Sequence, residues 1–398
     1  MITVHCPSDQ FWQRLCTLTP FSYDPTESPS APAVGRQLEW DAALQDSSDS
    51  IVVETTRRIF QDLCDPQTVN AAKGDAWKAK LWQALEESGL TLAWVPDTAG
   101  GTGASVTDAF DIARISGQYA VPVALAETLL AGWALAEAGQ QCQAGPMTIA
   151  AMRDGAAITA DADGRLKGRA KYVAFAREAT LIVVIAERDG KCVIAGVLPQ
   201  DCNLSDRATD MGGERADVLF DSTSTQFIAE APAGFDANTM RTLGAALRTS
   251  QMTGALESML QISTQYASER VAFGRTISKF QAVQHNLANL GTEVAAALTV
   301  SGSAAETLES AADNVEAVFF EVASAKIRVG EAVEKGAAIA HQVHGAIGFT
   351  AEHILQRYSR RTWGWRDDFG SESVWAKCLG ERVIANGADA LWPMLTSR

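Results

Sequence analysis

A chain of 398 residues is long enough for two or three structural layers, each with a real core. Its 47% hydrophobic and 20% charged content excludes a disordered chain, no run of eighteen apolar residues exists to span a membrane, and a formal charge of −15 excludes a broad nucleic-acid surface. Seven scattered cysteines without a CxxC, five histidines without an HxxxH pair, and no basic-then-apolar run in the first residues argue against a metal enzyme and point to a cytoplasmic setting.

Residues 1–47 are rich in Pro, Ser, Thr and Asp and lack periodicity, so an irregular extension is expected, ordered at most around Phe11, Trp12 and Trp40. Helical patterning begins near Ile51. Trp77, Leu81 and Leu85 recur at helical spacing, and Gly89 supplies a stop. Gly100-Gly101-Thr102-Gly103 looks like a phosphate cradle, but no βαβ unit surrounds it and no Lys-Ser/Thr follows, which favours a structural turn. A second helical pattern runs through Val106, Phe110, Ala113 and Gly117, and a mostly apolar helix covers 123–139.

The texture changes at Pro146. The runs Met147–Met152, Ala157–Asp161, Leu166–Val173, Leu181–Ala186 and Cys192–Leu198 are short and β-rich. Asp163-Gly164 and Asp189-Gly190 punctuate them as hairpin turns, which predicts an antiparallel β domain ending near residue 235. Helical period then returns twice, through Phe280, Val283, Leu287, Leu290, Val294 and Ala297, and through Phe319, Val322, Val329, Val333, Ala337 and Ala340. The expected order is therefore extension (1–47), helical domain (48–145), β domain (146–235) and C-terminal helical bundle (236–398).

Two segments carry chemistry. In Tyr266–Gln281, Arg270 gives planar donation to phosphate, Phe273 and Phe280 give apolar walls, and Gly274 permits close backbone approach. The plain alternative is an inter-helix turn with a solvated Arg. In Ala340–His353, Gly345 and Gly348 close a helix, and Gln342 offers both donor and acceptor. Downstream, Arg357, Arg360 and Arg361 read as a solvated helix face, and Trp363 and Trp365 as packed core.

Together these segments resemble the acyl-CoA dehydrogenase family over about residues 50–390. Tyr266…Arg270…Phe273-Gly274…Ile277…Phe280-Gln281 is similar to that family's YxxxRxxFGxxIxxFQ, and Gln342…Gly345-Ala346…Gly348-Phe349…Glu352 to its QxxGGxGF/YxxE, with Ala346 replacing a Gly. The resemblance implies an α+β fold: an N-terminal helical domain, a middle antiparallel β domain and a C-terminal four-helix-type bundle. It implies FAD, with Arg270 on the pyrophosphate, Phe273 near the adenosine, and Gly274, Phe280 and Gln281 in the same stretch. Gln342, His344, Gly345 and Ala346 would hold the adenine end from a neighbouring subunit, and Ser371 matches a hydroxyl near the cofactor. It further implies an acyl-CoA substrate, an electron-transfer flavoprotein or similar acceptor, and a homo- or hetero-oligomer of two or four chains.

The chain departs from this pattern at the base. Phe369 occupies the expected Glu position, and the alternative position falls at Gly244. Asp368, or Asp367 or Glu372, is the candidate carboxylate, with an acidic cap paired to Arg366 or Arg361 as the plain alternative. The family's T-E-P-x-A-G-S-D loop is missing around Met152–Ala156, and its Trp-Ile-Thr strand is weakened to Tyr172-Val173-Ala174. Four readings stay open: α,β-dehydrogenation of an acyl-CoA thioester, a base-less subunit of a heteromer, an Asp-using oxidase of the same superfamily, and a helical scaffold without cofactor.

Overall fold

The computed structural model describes residues 50–72, 74–150, 157–206 and 215–396; the expectations for residues 1–47 and for Met152–Ala156 lie outside them. The N-terminal helices are α1 (Ile51–Leu63), α2 (Pro66–Ala71), α3 (Ala76–Glu87), α4 (Val106–Gln118) and α5 (Leu125–Glu137). Ser50, Asp65 and Ser105 cap α1, α2 and α4 by accepting from backbone N–H groups of the first turn. Phe60, Leu81 and Leu85 are fully buried at helical spacing, and α5 is enclosed on nearly every side. In the Gly100–Gly103 loop the backbone donors point inward: Gly101 N–H to Pro96, Thr102 N–H to Leu92 and Gly103 N–H to Val95. With its donors engaged, the loop holds no phosphate, as a structural turn requires.

The strands are β1 (Met147–Ala150), β2 (Thr159–Ala160), β3 (Leu166–Ala174), β4 (Leu181–Arg188), β5 (Lys191–Val197), β6 (Asn203–Asp206), β7 (Arg215–Thr223) and β8 (Phe227–Glu230). They form one sheet in the order β6-β7-β3-β2-β4-β5-β8, with β1 also pairing β4. The ladders are antiparallel except that β1 and β2 both run parallel to β4, a departure from the purely antiparallel expectation. The cause is that β1 enters from α5 and is followed by other elements before β4, so no hairpin joins it to β4. Asp189 and Gly190 both have positive φ (53° and 76°), and Arg188 faces Lys191, the two-residue turn that Asp-Gly favours.

The C-terminal region contains α6 (Ala237–Glu269), the short hairpin β9 (Val271–Ala272) and β10 (Arg275–Thr276), α7 (Gln281–Ser310), α8 (Val315–His344), α9 (Leu355–Asp367), α10 (Glu372–Asn386) and α11 (Ala388–Thr396). A capping box between Asp236 and Thr239 starts α6. A Cβ added at Gly117 of α4 would sit 1.9 Å from the Gln251 carbonyl, and one at Gly254 of α6 would sit 1.8 Å from that of Arg114. These two helices therefore pack backbone to backbone, which brings the middle of α6 against the N-terminal helices.

Candidate functional site

The first motif is the exit of α6 and the hairpin after it. Arg270 caps α6: its N–H donates to the Tyr266 carbonyl at 2.8 Å, and its own carbonyl accepts from Ile277 N–H at 2.8 Å. Those two bonds fix the backbone and leave the guanidinium exposed, with no partner among the described residues. Phe273 and Gly274 form the hairpin tip, with φ of 51° and 80°. A phenylalanine at positive φ is an uncommon, costly choice, and this one is 96% exposed. Phe273 meets Phe280 edge-on at 6.3 Å, and the Arg275 guanidinium lies over Phe280 at 4.2 Å. Gln281 opens α7 and is exposed. The turn thus holds an exposed aromatic and an exposed guanidinium side by side.

The second motif lies beside the first. Tyr266 stacks on His344 with ring centroids 4.4 Å apart, and its hydroxyl donates to the His344 carbonyl at 3.4 Å. At the end of α8, Gln342 and Gly345 line a cleft of about 470 Å³ with His341, Phe349 and Trp363. His341 stacks on Phe349 at 4.0 Å, while Ala346 is exposed and does not line the cleft. The cleft is thus a flat, aromatic slot with an amide at its edge, suited to a planar heterocycle. Behind it, burial pushes the His341 and His344 imidazoles below their ordinary value, as it does His353. His341 Nδ1 and His344 Nε2 are buried without a hydrogen-bond partner among the described residues.

Ser371 belongs to a different place. It is the N-cap residue of α10, its hydroxyl 2.9 Å from that of Ser373. It is separated from Gln342–Ala346 by α9, 13 residues and about 20 Å long. At this far end lie both positions where the resemblance implies a base. They touch: a Cβ at Gly244 would fall 2.4 Å from Cε1 of Phe369. The Phe369 ring fills the space that a side chain at 244 would take, so the pair presents a phenyl group and no carboxylate.

Asp368 is buried and engaged at both oxygens. Arg215 donates to Oδ1 at 2.5 Å and to Oδ2 at 3.1 Å, and Arg248 Nε donates to Oδ2 at 3.1 Å. Arg248 also pairs with Glu127 and Gln251. Burial works against its charge, yet Glu127 and Asp368 hold Arg248 above the usual arginine value. Arg366 pairs with Glu372 and with Glu334. The first of these pairs holds Glu372 below the usual carboxylate range. Asp367 is exposed. Lys326 donates to the carbonyls of Trp365 and Arg366 at 3.0 and 2.9 Å, closing the end of α9 just ahead of Asp368. Burial pushes this lysine down to about 7.

The sequence reading missed Arg215, Arg248, Glu127 and Lys326. Two of them, Glu127 and Arg248, carried a signal: each is a lone charge within a long apolar or small-residue stretch of helix. Such a charge, once buried, requires a partner from elsewhere in the chain.

The fold and the two adjoining motifs define a flavoprotein dehydrogenase architecture. The model of the acyl-CoA dehydrogenase N-terminal domain matches residues 47–145 and that of the C-terminal domain residues 236–383, together more than half of the chain. The chain belongs to the acyl-CoA dehydrogenase family, whose members are FAD-dependent oxidoreductases. Among its relatives is the acyl-CoA dehydrogenase IpdE2 of Mycobacterium tuberculosis, 28% identical over 316 residues, covering 78% of this chain and 89% of that protein. Similar solved structures include the ChsE4-ChsE5 complex of Mycobacterium tuberculosis, with a TM-score of 0.74 and 23% identity over 83% of this chain and 95% of the other. The Tcur3481-Tcur3483 steroid acyl-CoA dehydrogenase variant matches at the same TM-score of 0.74 and 23% identity, over 85% and 98%. These likenesses show the fold. No helix among the described residues is long and apolar enough to cross a membrane.

Proposed function

We propose that this chain is the base-less subunit of a heteromeric, FAD-dependent acyl-CoA dehydrogenase, and that it supplies the nucleotide-binding half of a flavin site to a competent partner subunit. The observation that carries this reading is the Phe369 ring packed on Gly244, which leaves both base positions without a carboxylate. Asp368 does not substitute, because guanidinium hydrogen bonds engage the lone pairs that proton abstraction needs.

The nucleotide half is intact. Arg270 offers planar donors for a pyrophosphate, Phe273 an exposed ring for the adenosine side, and the Gln342–Phe349 slot an aromatic wall and an amide for adenine. The residues present therefore fit the ADP end of FAD. A bound FAD would supply the hydride acceptor for the β-carbon of an acyl-CoA, and the carboxylate for the α-proton would come from the partner. This chain's residues bind, orient and cover one end of the cofactor. The ChsE4-ChsE5 and Tcur3481-Tcur3483 structures are both pairs of different chains, which supports assembly of this kind. An electron-transfer flavoprotein or similar acceptor, outside these residues, would reoxidise the flavin.

The test is flavin content and flavin bleaching by acyl-CoA, measured on this chain alone and on the complex purified from native cells. One flavin per pair of unlike chains, bleached only in the complex, is expected. Arg270→Ala in this chain removes a charge-assisted partner worth about 1.5–3 kcal/mol and lowers flavin retention of the complex. Stoichiometric flavin and full bleaching with this chain alone would overturn the reading.

A further inference from the structure

A second cleft, of about 540 Å³, opens between α2, the start of α3 and α9, and shares no lining residue with the Gln342 slot. Arg357, Arg360 and Arg361 all line it. Arg360 and Arg361 lie three and four positions beyond Arg357 on α9, which turns them to one side of the helix. Lys78 is the fourth cation in the lining, and Asp75 the one carboxylate; these two pair with each other at 3.0 Å. In a chain of charge −15, this is a local reversal of sign.

Arg361 is the telling residue. It is only 8% exposed, and neither it nor Arg357 has a hydrogen-bond or ion-pair partner among the described residues. Buried guanidinium groups are normally paired, because burial without a partner is costly. Burial, with the Arg357 charge next, pushes Arg361 down to about 9. Such a side chain is kept where an anion completes it. Arg360 reaches the Gln356 side chain at 3.4 Å and is already engaged. Val69, Pro122 and Phe175, all buried, give the cleft an apolar wall, and Trp77 closes its edge.

We propose that this cleft is a binding site for a small phosphate ester, with the phosphate on Arg361 and Arg357 and the apolar body against Val69, Pro122 and Phe175. A phosphate is favoured over a lone carboxylate because its three acceptor oxygens match two planar guanidinium forks at once. The volume suits a small organic ligand.

The probes are inorganic phosphate and phenyl phosphate, titrated against thermal melting and by calorimetry at ionic strength matched with sodium chloride. Both raise the melting temperature of the wild-type chain, and phenyl phosphate does so at lower concentration because its ring meets the apolar wall. Arg361→Gln weakens both affinities by at least roughly tenfold, the scale of one charge-assisted hydrogen bond. Lys377→Gln, at an exposed cation that lines neither cleft, leaves both unchanged, which separates this cleft from a general charge effect. Arg357 is half-buried and distributes less strain, so Arg357→Gln reads the same loss should Arg361→Gln fail to fold. A wild-type response equalled by chloride, or retained in both arginine variants, overturns the proposal. Inorganic phosphate binding as tightly as phenyl phosphate overturns the ester and its apolar contacts.

Discussion

At the scale of single residues, Asp368 separates two accounts of the reaction end. A carboxylate poised for proton abstraction needs a free lone pair, and replacing it with the isosteric amide changes stability little. A carboxylate clamped by Arg215 and Arg248 behaves otherwise, since its loss strips Arg215 of this carboxylate and leaves Arg248 with Glu127 as its remaining counter-charge. We therefore predict that Asp368→Asn lowers stability by about 3 kcal/mol, the lower end of the cost of breaking a buried ion pair. Urea denaturation measures it, and a change near zero would return Asp368 to the list of free carboxylates. Arg248 carries the same logic inward. It joins Asp368 to Glu127 and Gln251, so one side chain of α6 ties the C-terminal turn to α5. Phe369 sits immediately after this clamp and reaches Gly244, one turn of α6 before Arg248. The charge network and the phenyl plug are thus one construction.

At the scale of elements, the C-terminal end of α8 is built on neutral histidines. His344 stacks on Tyr266, its Nδ1 2.8 Å from the Ala340 carbonyl, and His341 stacks on Phe349, its Nε2 3.0 Å from Ser359 Oγ. Burial depresses both imidazoles, so the folded chain holds fewer protons than the unfolded one below the ordinary value of about 6.5. Stability is then full above that pH and falls as pH drops through the depressed folded values. The expected outcome is a urea midpoint that declines as pH falls below about 6.5. His344→Phe keeps the stack and removes one titrating ring, which flattens the decline; an equal slope in that variant would place the dependence elsewhere. These elements also show what a sequence makes legible. The long periodic runs of α7 and α8, the Asp189-Gly190 turn and the Arg270–Gln281 spacing are local patterns, readable because each rests on neighbours within a few residues. The hairpin β9–β10 and its strained Phe273 were hidden inside a motif that reads as a ligand segment. The Asp368 clamp was illegible because positions 127, 215, 248 and 368 come from four distant segments, and pairing at that range leaves no period. The parallel strands β1 and β2 were missed for the same reason: their partner β4 lies beyond the turn chemistry that announces a hairpin.

At the scale of the whole molecule, the proposed nucleotide half-site and the exposed apolar surface make the same demand. Val271 is 58% exposed and Phe349 66%, and with Phe273 they place apolar groups around the two nucleotide motifs. Exposed aromatic and β-branched groups beside an arginine with no partner among the described residues describe the rim of an interface rather than a finished surface. If a partner subunit covers this region together with one end of the cofactor, assembly and flavin retention are linked, because the flavin binds the assembled state better than the separated chains. The prediction is that Val271→Ser with Phe273→Ser reduces both the complex seen by size-exclusion chromatography with light scattering and the flavin that travels with it. Added FAD then partly restores the complex, since a ligand that prefers the assembled state pulls the equilibrium toward it. By contrast, Ile384 and Trp392 are exposed on α10 and α11, outside the nucleotide motifs. Ile384→Ser with Trp392→Ser leaves flavin per complex unchanged whether or not that second face takes part in assembly. Loss of flavin with an intact complex in the Val271/Phe273 variant would separate the two roles. The hairpin would then be a ligand contact alone, and the subunit interface would lie on another face.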